Sequence, residues 1–189
     1  MIRVALRVHN TPDWIGGLHY FRNLLGAVLS LQDRRIQPVV LGDIEQFPAF
    51  FRPAEFIPDL YEANSWRPRR ILNRVERLIF SNGGAMARHL RRHGVSVFSH
   101  GEVLGSRSPI PALGWIPDFQ HRYLPEFFSK TEIVFRNSIH ALMAKEMQGI
   151  IFSSENAFHD FGRFFPKHRC RKYVLKFVAV PPLGELPPV

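Results

Sequence analysis

The sequence predicts an α/β protein: a doubly wound, mainly parallel sheet with helices on both faces. Three observations lead there. Short apolar runs rich in Val and Ile alternate with longer segments whose apolar residues recur at helical spacing. Parallel strands need helical crossovers, and right-handed crossovers favour a doubly wound sheet. Polar clusters follow several of the runs, as expected where ligands bind outside the carboxyl ends of parallel strands.

Taken in order, Ile2–Val8 is the first expected strand, and Gly17–Leu31 the first helix, with Leu18, Phe21, Leu25, Val28 and Leu29 near one face. Residues 37–41, QPVVL, form a short strand. Residues 43–68 carry Pro48, Pro53, Pro58 and Pro68 and read as irregular, with one short strand near Glu55–Pro58. Arg69–Phe80 has helical spacing, Ser81-Asn82-Gly83-Gly84 breaks it, and Ala85–Arg92 resumes it. Val95–Ser99 and Pro111–Ile116 are strands, and Lys130–Met147 is a long helix closed by Gly149. Ile150–Ser153 is a strand, Glu155–Phe164 a helix and Tyr173–Val180 a last strand. Residues 1–180 thus read as one Rossmann-like domain, and the Pro-rich 181–189 as a tail or the start of a linker.

Composition bounds the function. The 46% apolar content argues against wholesale disorder, and the chain is long enough for one sizeable core. A formal charge of +9 favours anionic partners: phosphorylated ligands, nucleic acid or an acidic membrane surface. Basic clusters stand at 67–70 (RPRR), 88–92 (RHLRR) and 167–172 (KHRCRK). They come without a stacking motif or recognition helix, so no nucleic-acid partner is assigned; an Arg-rich 67–92 segment lying on an anionic membrane is an open alternative to a solvated helix face. The single cysteine, Cys170, excludes an intrachain disulfide and a cysteine metal cluster, and no metal ligand set is named. Its neighbours Arg169 and Arg171 would lower its pKa. One cysteine, no apolar run long enough to span a bilayer, and an amino end interrupted by Arg3 and Arg7 fit a cytoplasmic protein, peripheral to a membrane at most. Phe pairs such as Phe50-Phe51 and Phe127-Phe128 cannot both point into one core face of a strand.

The candidate site residues stand where strands end. Asn10 and the pair Gly16-Gly17 follow the first strand; His100 and Glu102 follow Val95–Ser99; Asp118 and His121 follow Pro111–Ile116; Ser153 and Ser154 follow the GIIF run. The glycine pair either turns the chain or opens the amino end of a helix to a phosphate, where free N–H groups and the helix dipole favour negative charge. WIGGLHYFRN lacks the third glycine of a dinucleotide fingerprint, and no G-K-[ST] forms a P-loop, so no nicotinamide or other cofactor is expected.

Four segments resemble the amino-terminal half of a GT-B glycosyltransferase of the large family often called group 1 or family 4: residues 16–29 (GGLHYFRNLLGAVL), 99–105 (SHGEVLG), 114–129 (GWIPDFQHRYLPEFFS) and 149–166 (GIIFSSENAFHDFGRFFP). The resemblance runs, with gaps, over nearly the whole chain. It implies a retaining sugar transfer from a nucleotide-sugar donor to a carbohydrate or lipid-linked acceptor. This half would bind acceptor and close on the donor diphosphate. Gly16 and Gly17 would lie beside the phosphates, and Asp118 and His121 near the transferred sugar or acceptor hydroxyl, as the catalytic candidates. The family's donor-binding half carries two glutamates with seven residues between them, a spacing that does not occur here. The resemblance therefore implies a missing carboxyl-terminal donor-binding domain and an isolated chain without activity. The alternative is a non-catalytic Rossmann-like module that binds an anionic ligand or membrane surface.

Overall fold

A computed structural model describes residues 1–8, 15–60 and 84–177. Seven strands form one sheet: β1 (Ile2–Leu6), β2 (Ile36–Leu41), β3 (Glu55–Ile57), β4 (Val97–Ser99), β5 (Ala112–Ile116), β6 (Gly149–Phe152) and β7 (Arg171–Val174). Their order is β3-β2-β1-β4-β5-β6-β7, and every described pairing is parallel. The order reverses between β1 and β4, the crevice where such sheets bind ligands. The register aligns the carboxyl ends: Leu6 opposes both Val40 and Ser99, and Phe152 opposes both Ile116 and Val174. The predicted α/β, Rossmann-like class is the observed one.

Helices cover both faces. On one, α1 (Ile15–Ser30) packs Tyr20, Phe21 and Leu25 against Leu6, Val8 and Val40. On the other lie α2 (Gly84–Arg92), α4 (Lys130–Glu146) and α5 (Glu155–Phe164); the short α3 (Gln120–Tyr123) follows β5. The period of two along each strand feeds both layers. Ala5 and Val39 enter the second core while Leu6 and Val40 enter the first. Full burial of such side chains contributes about 1.5–3 kcal/mol each. Ser129 opens α4 by accepting from the Glu132 amide at 3.2 Å, and Ser154 opens α5 by accepting from the Ala157 amide at 3.1 Å.

The two arginines that break the apolar run of β1 have a structural purpose. Arg3 and Arg7 share one side of the strand and reach across β2. Arg3 grips Glu55 through two 2.6 Å hydrogen bonds. Arg7 donates to both Asp59 oxygens, at 2.6 and 3.1 Å.

Several expected bounds need correction. The last strand occupies Arg171–Val174 where Tyr173–Val180 was expected, and residues 178–180 of that expectation lie outside the described residues. It begins inside the basic run because its alternate residues Arg171 and Tyr173 face solvent. The first helix begins at Ile15, two residues before the expected start, so Gly16 as well as Gly17 lies within its first turn. The four-residue α3 was not expected, and the Phe50-Phe51 pair sits in a 3-10 turn that buries only Phe51. The helix expected at 69–80 and the tail at 181–189 lie outside the described residues.

Candidate functional site

The carboxyl rim of the sheet divides into two parts, one on each face. On the α1 side an aromatic lock joins three strand ends. His100 follows β4 with φ of 59°, a left-handed backbone uncommon for residues with a side chain. Its ring is held at both nitrogens: Tyr20 Oη lies 2.8 Å from Nε2, and Ser99 Oγ lies 2.8 Å from Nδ1. Burial pushes its pKa down to about 3, so the imidazole is neutral. One hydroxyl therefore donates and the other accepts. The Tyr20 ring stacks on Trp115 of β5 with centroids 4.4 Å apart. The Trp115 indole N–H in turn donates to Ser153 Oγ at 2.9 Å, beyond β6. His100 and Ser153, named from the sequence as ligand contacts, are thus both occupied inside the fold.

Next to this lock, at the β1–β4 switch point, Glu102 Oε2 lies 2.9 Å from Arg7 Nε. Asp59 takes the two terminal nitrogens of the same guanidinium, and only 5% of its surface is exposed. Glu102 Oε1 is buried and has no hydrogen-bond partner among the described residues. Gly16 is exposed at the start of α1, with nothing within 4 Å of where a Cβ would stand, whereas Gly17 is buried. Of the glycine pair that the resemblance places beside the phosphates, only Gly16 is at the surface. Asn10 lies outside the described residues.

On the other face, a cleft of about 480 Å³ opens between α3 and α5, a size suited to a small ligand. Its lining includes Asp118, Gln120, Tyr123, Ser154, Asn156 and Asp160. Asp118 Oδ1 accepts from the Gln120 amide at 2.9 Å, and Asp160 Oδ1 accepts from the Tyr123 hydroxyl. Among the described residues, neither carboxylate's second oxygen has a hydrogen-bond partner. The cleft therefore offers two carboxylates, two side-chain amides, hydroxyls and an aromatic ring, the groups that engage a polyhydroxylated molecule.

His121 stands behind this cleft instead of on its lining. It is 1% exposed, and its Nε2 is 3.2 Å from Asn137 Oδ1. Its ring lies 5.4 Å from that of His140, between Phe119 and Phe128. Burial lowers the pKa of His121, and that of His140 falls to about 3, chiefly through burial and further through His121, Arg136 and Arg122. Neither Nδ1 has a hydrogen-bond partner among the described residues. Cys170 is also buried, and burial raises its pKa, overriding the expected effect of its arginine neighbours.

The structure brings Asp118 and Ser154 together in one cleft and sets His100, Glu102 and Ser153 into the internal network. Tyr20 and Trp115 were not singled out from the sequence, because their stacking is a long-range contact. Asp160 did leave a signal: Asn156, His159 and Asp160 share one face of α5 at helical spacing. Among the described residues no group of three or more His, Cys, Asp or Glu side chains is placed to hold a metal ion. No described helix is long and apolar enough to cross a membrane. No family model matches the chain, and no curated protein is found similar to it.

Proposed function

We propose that this chain is the acceptor-side half of a retaining glycosyltransferase, its donor-binding lobe lying outside these residues. The cleft between α3 and α5 supports the reading best. It sits at the carboxyl ends of β5 and β6, and its carboxylate oxygens can accept from sugar hydroxyls while Gln120 and Asn156 donate. In this reading Asp118 orients the acceptor hydroxyl, and His121 supports the wall behind it. The exposed amino end of α1 at Gly16 would face the donor diphosphate, where charge grows as the glycosidic bond to it breaks.

The test is saturation-transfer NMR on the folded chain with simple methyl glycosides, alongside calorimetry with nucleoside diphosphates. Saccharide protons in contact with the protein, lost in Asp118→Asn and Asn156→Ala, are the expected result, with only weak heat from nucleotide. Nucleotide binding as tight as in a complete enzyme, with no saccharide contact, would overturn the assignment.

A further inference from the structure

The basic run at 167–172 takes no part in that cleft. It leads into the edge strand β7, whose outer side is unpaired among the described residues. The amides of Arg171 and Leu175 turn inward, to Gln148 O at 3.0 Å and Phe152 O at 2.8 Å, so those of Lys172 and Val174 turn outward. The side chains alternate too. Lys172 packs over the Phe158 ring at 3.9 Å, whereas Arg171 and Tyr173 on the strand are exposed, as are Arg169 before it and Leu175 after it.

Lys145 and Lys176 each have an acidic partner, Glu146 at 3.7 Å and Glu155 at 3.6 Å. Lys167, Arg169 and Arg171 form no ion pair among the described residues. These three cations and Tyr173 line a groove of about 1150 Å³ around the amino-terminal ends of β5, β6 and β7, with Leu113 and Met147 also on its lining. Cations, apolar surface and an open strand edge thus occur together, at the end of the sheet opposite the candidate site.

We propose that β7 receives an acidic, extended segment of another polypeptide as an added strand. Alternate residues of a strand recur at about 6.6 Å, so one carboxylate of the guest falls opposite Arg171, another can reach Arg169 just before the strand, and apolar side chains follow over Tyr173 and Leu175. The outward backbone groups of Lys172 and Val174 supply the ladder. A bilayer would need these cations on a projecting surface, but they line a concavity. Basic residues on an edge can also serve only to prevent self-pairing; such guards would gain nothing from an acidic strand in particular.

The experiment uses the full chain and a fluorescein-labelled ten-residue peptide that carries, on alternate residues, Glu in its first half and Val and Tyr in its second, with Thr between them, read by anisotropy. A Lys counterpart and a peptide N-methylated on alternate amides serve as probes of charge and of the ladder. The wild type should bind the Glu peptide at least about tenfold more tightly than the Lys one, Arg169→Glu/Arg171→Glu should invert that preference, and N-methylation should abolish binding. Equal binding of the two peptides, indifference to charge reversal, or full binding of the N-methylated peptide would each overturn the proposal. So would retention on phosphatidylserine vesicles without any affinity for the Glu peptide.

Discussion

Replacing Tyr20 by Phe removes one oxygen from the aromatic lock and leaves the ring that stacks on Trp115. The loss leaves His100 Nε2 without its 2.8 Å partner in a site where 9% of the residue is exposed. An orphaned buried polar group costs about 1–3 kcal/mol. For a chain of this size that corresponds to a fall of about 5 °C in Tm. The variant should also be more acid-sensitive. Burial holds the His100 pKa near 3, against 6.5 when unfolded, so the unfolded chain takes up the proton first. The stability this contributes is complete above pH 6.5 and drains away as pH falls toward 3, by up to about 5 kcal/mol. Losing the hydroxyl lowers stability at every pH and leaves less to offset that loss, so the acid-unfolding midpoint moves to higher pH. Far-ultraviolet circular dichroism during heating and acid titration measures both shifts. A Tm within about 1 °C of the wild type, with an unchanged acid midpoint, would refute the reasoning.

Four further outcomes are expected. His140→Leu removes a second buried neutral imidazole with a pKa near 3 and should move the acid-unfolding midpoint to lower pH. Arg7→Met leaves the Asp59 and Glu102 carboxylates without their shared cation and should cost about 3–5 kcal/mol in urea unfolding at neutral pH. Gly16→Ala adds a Cβ to an open helical position and should raise stability by up to about 1 kcal/mol, read as a higher urea midpoint. Gly101→Ala sets a Cβ 2.0 Å from the buried Phe98 ring and should cost about 1–3 kcal/mol or more by the same assay.

The strand-and-helix rhythm was legible because each layer of this fold repeats a local pattern. Glu155–Phe164 was read to the residue, since Ser154 is a cap and its apolar positions recur at helical spacing. The carboxyl rim was legible as a place but not as a set of roles. Spacing puts Ser153 and His100 at strand ends, but only tertiary contacts show that Trp115 and Tyr20 occupy their polar atoms. His121 follows β5 as Asp118 does, and a short helix turns it inward toward Asn137. The strand β7 was misplaced because an edge strand with one exposed side carries Arg171 and Tyr173 in place of the continuous apolar run of a central one.

Ser153 and Ser154 are consecutive, yet one side chain anchors to an indole on one face of the sheet and the other fixes the first turn of a helix on the opposite face. The peptide unit between them is thereby fastened from both directions. In the proposed reading, an acceptor entering the cleft would meet a wall that is already set, and little ordering entropy would be lost there when it docks.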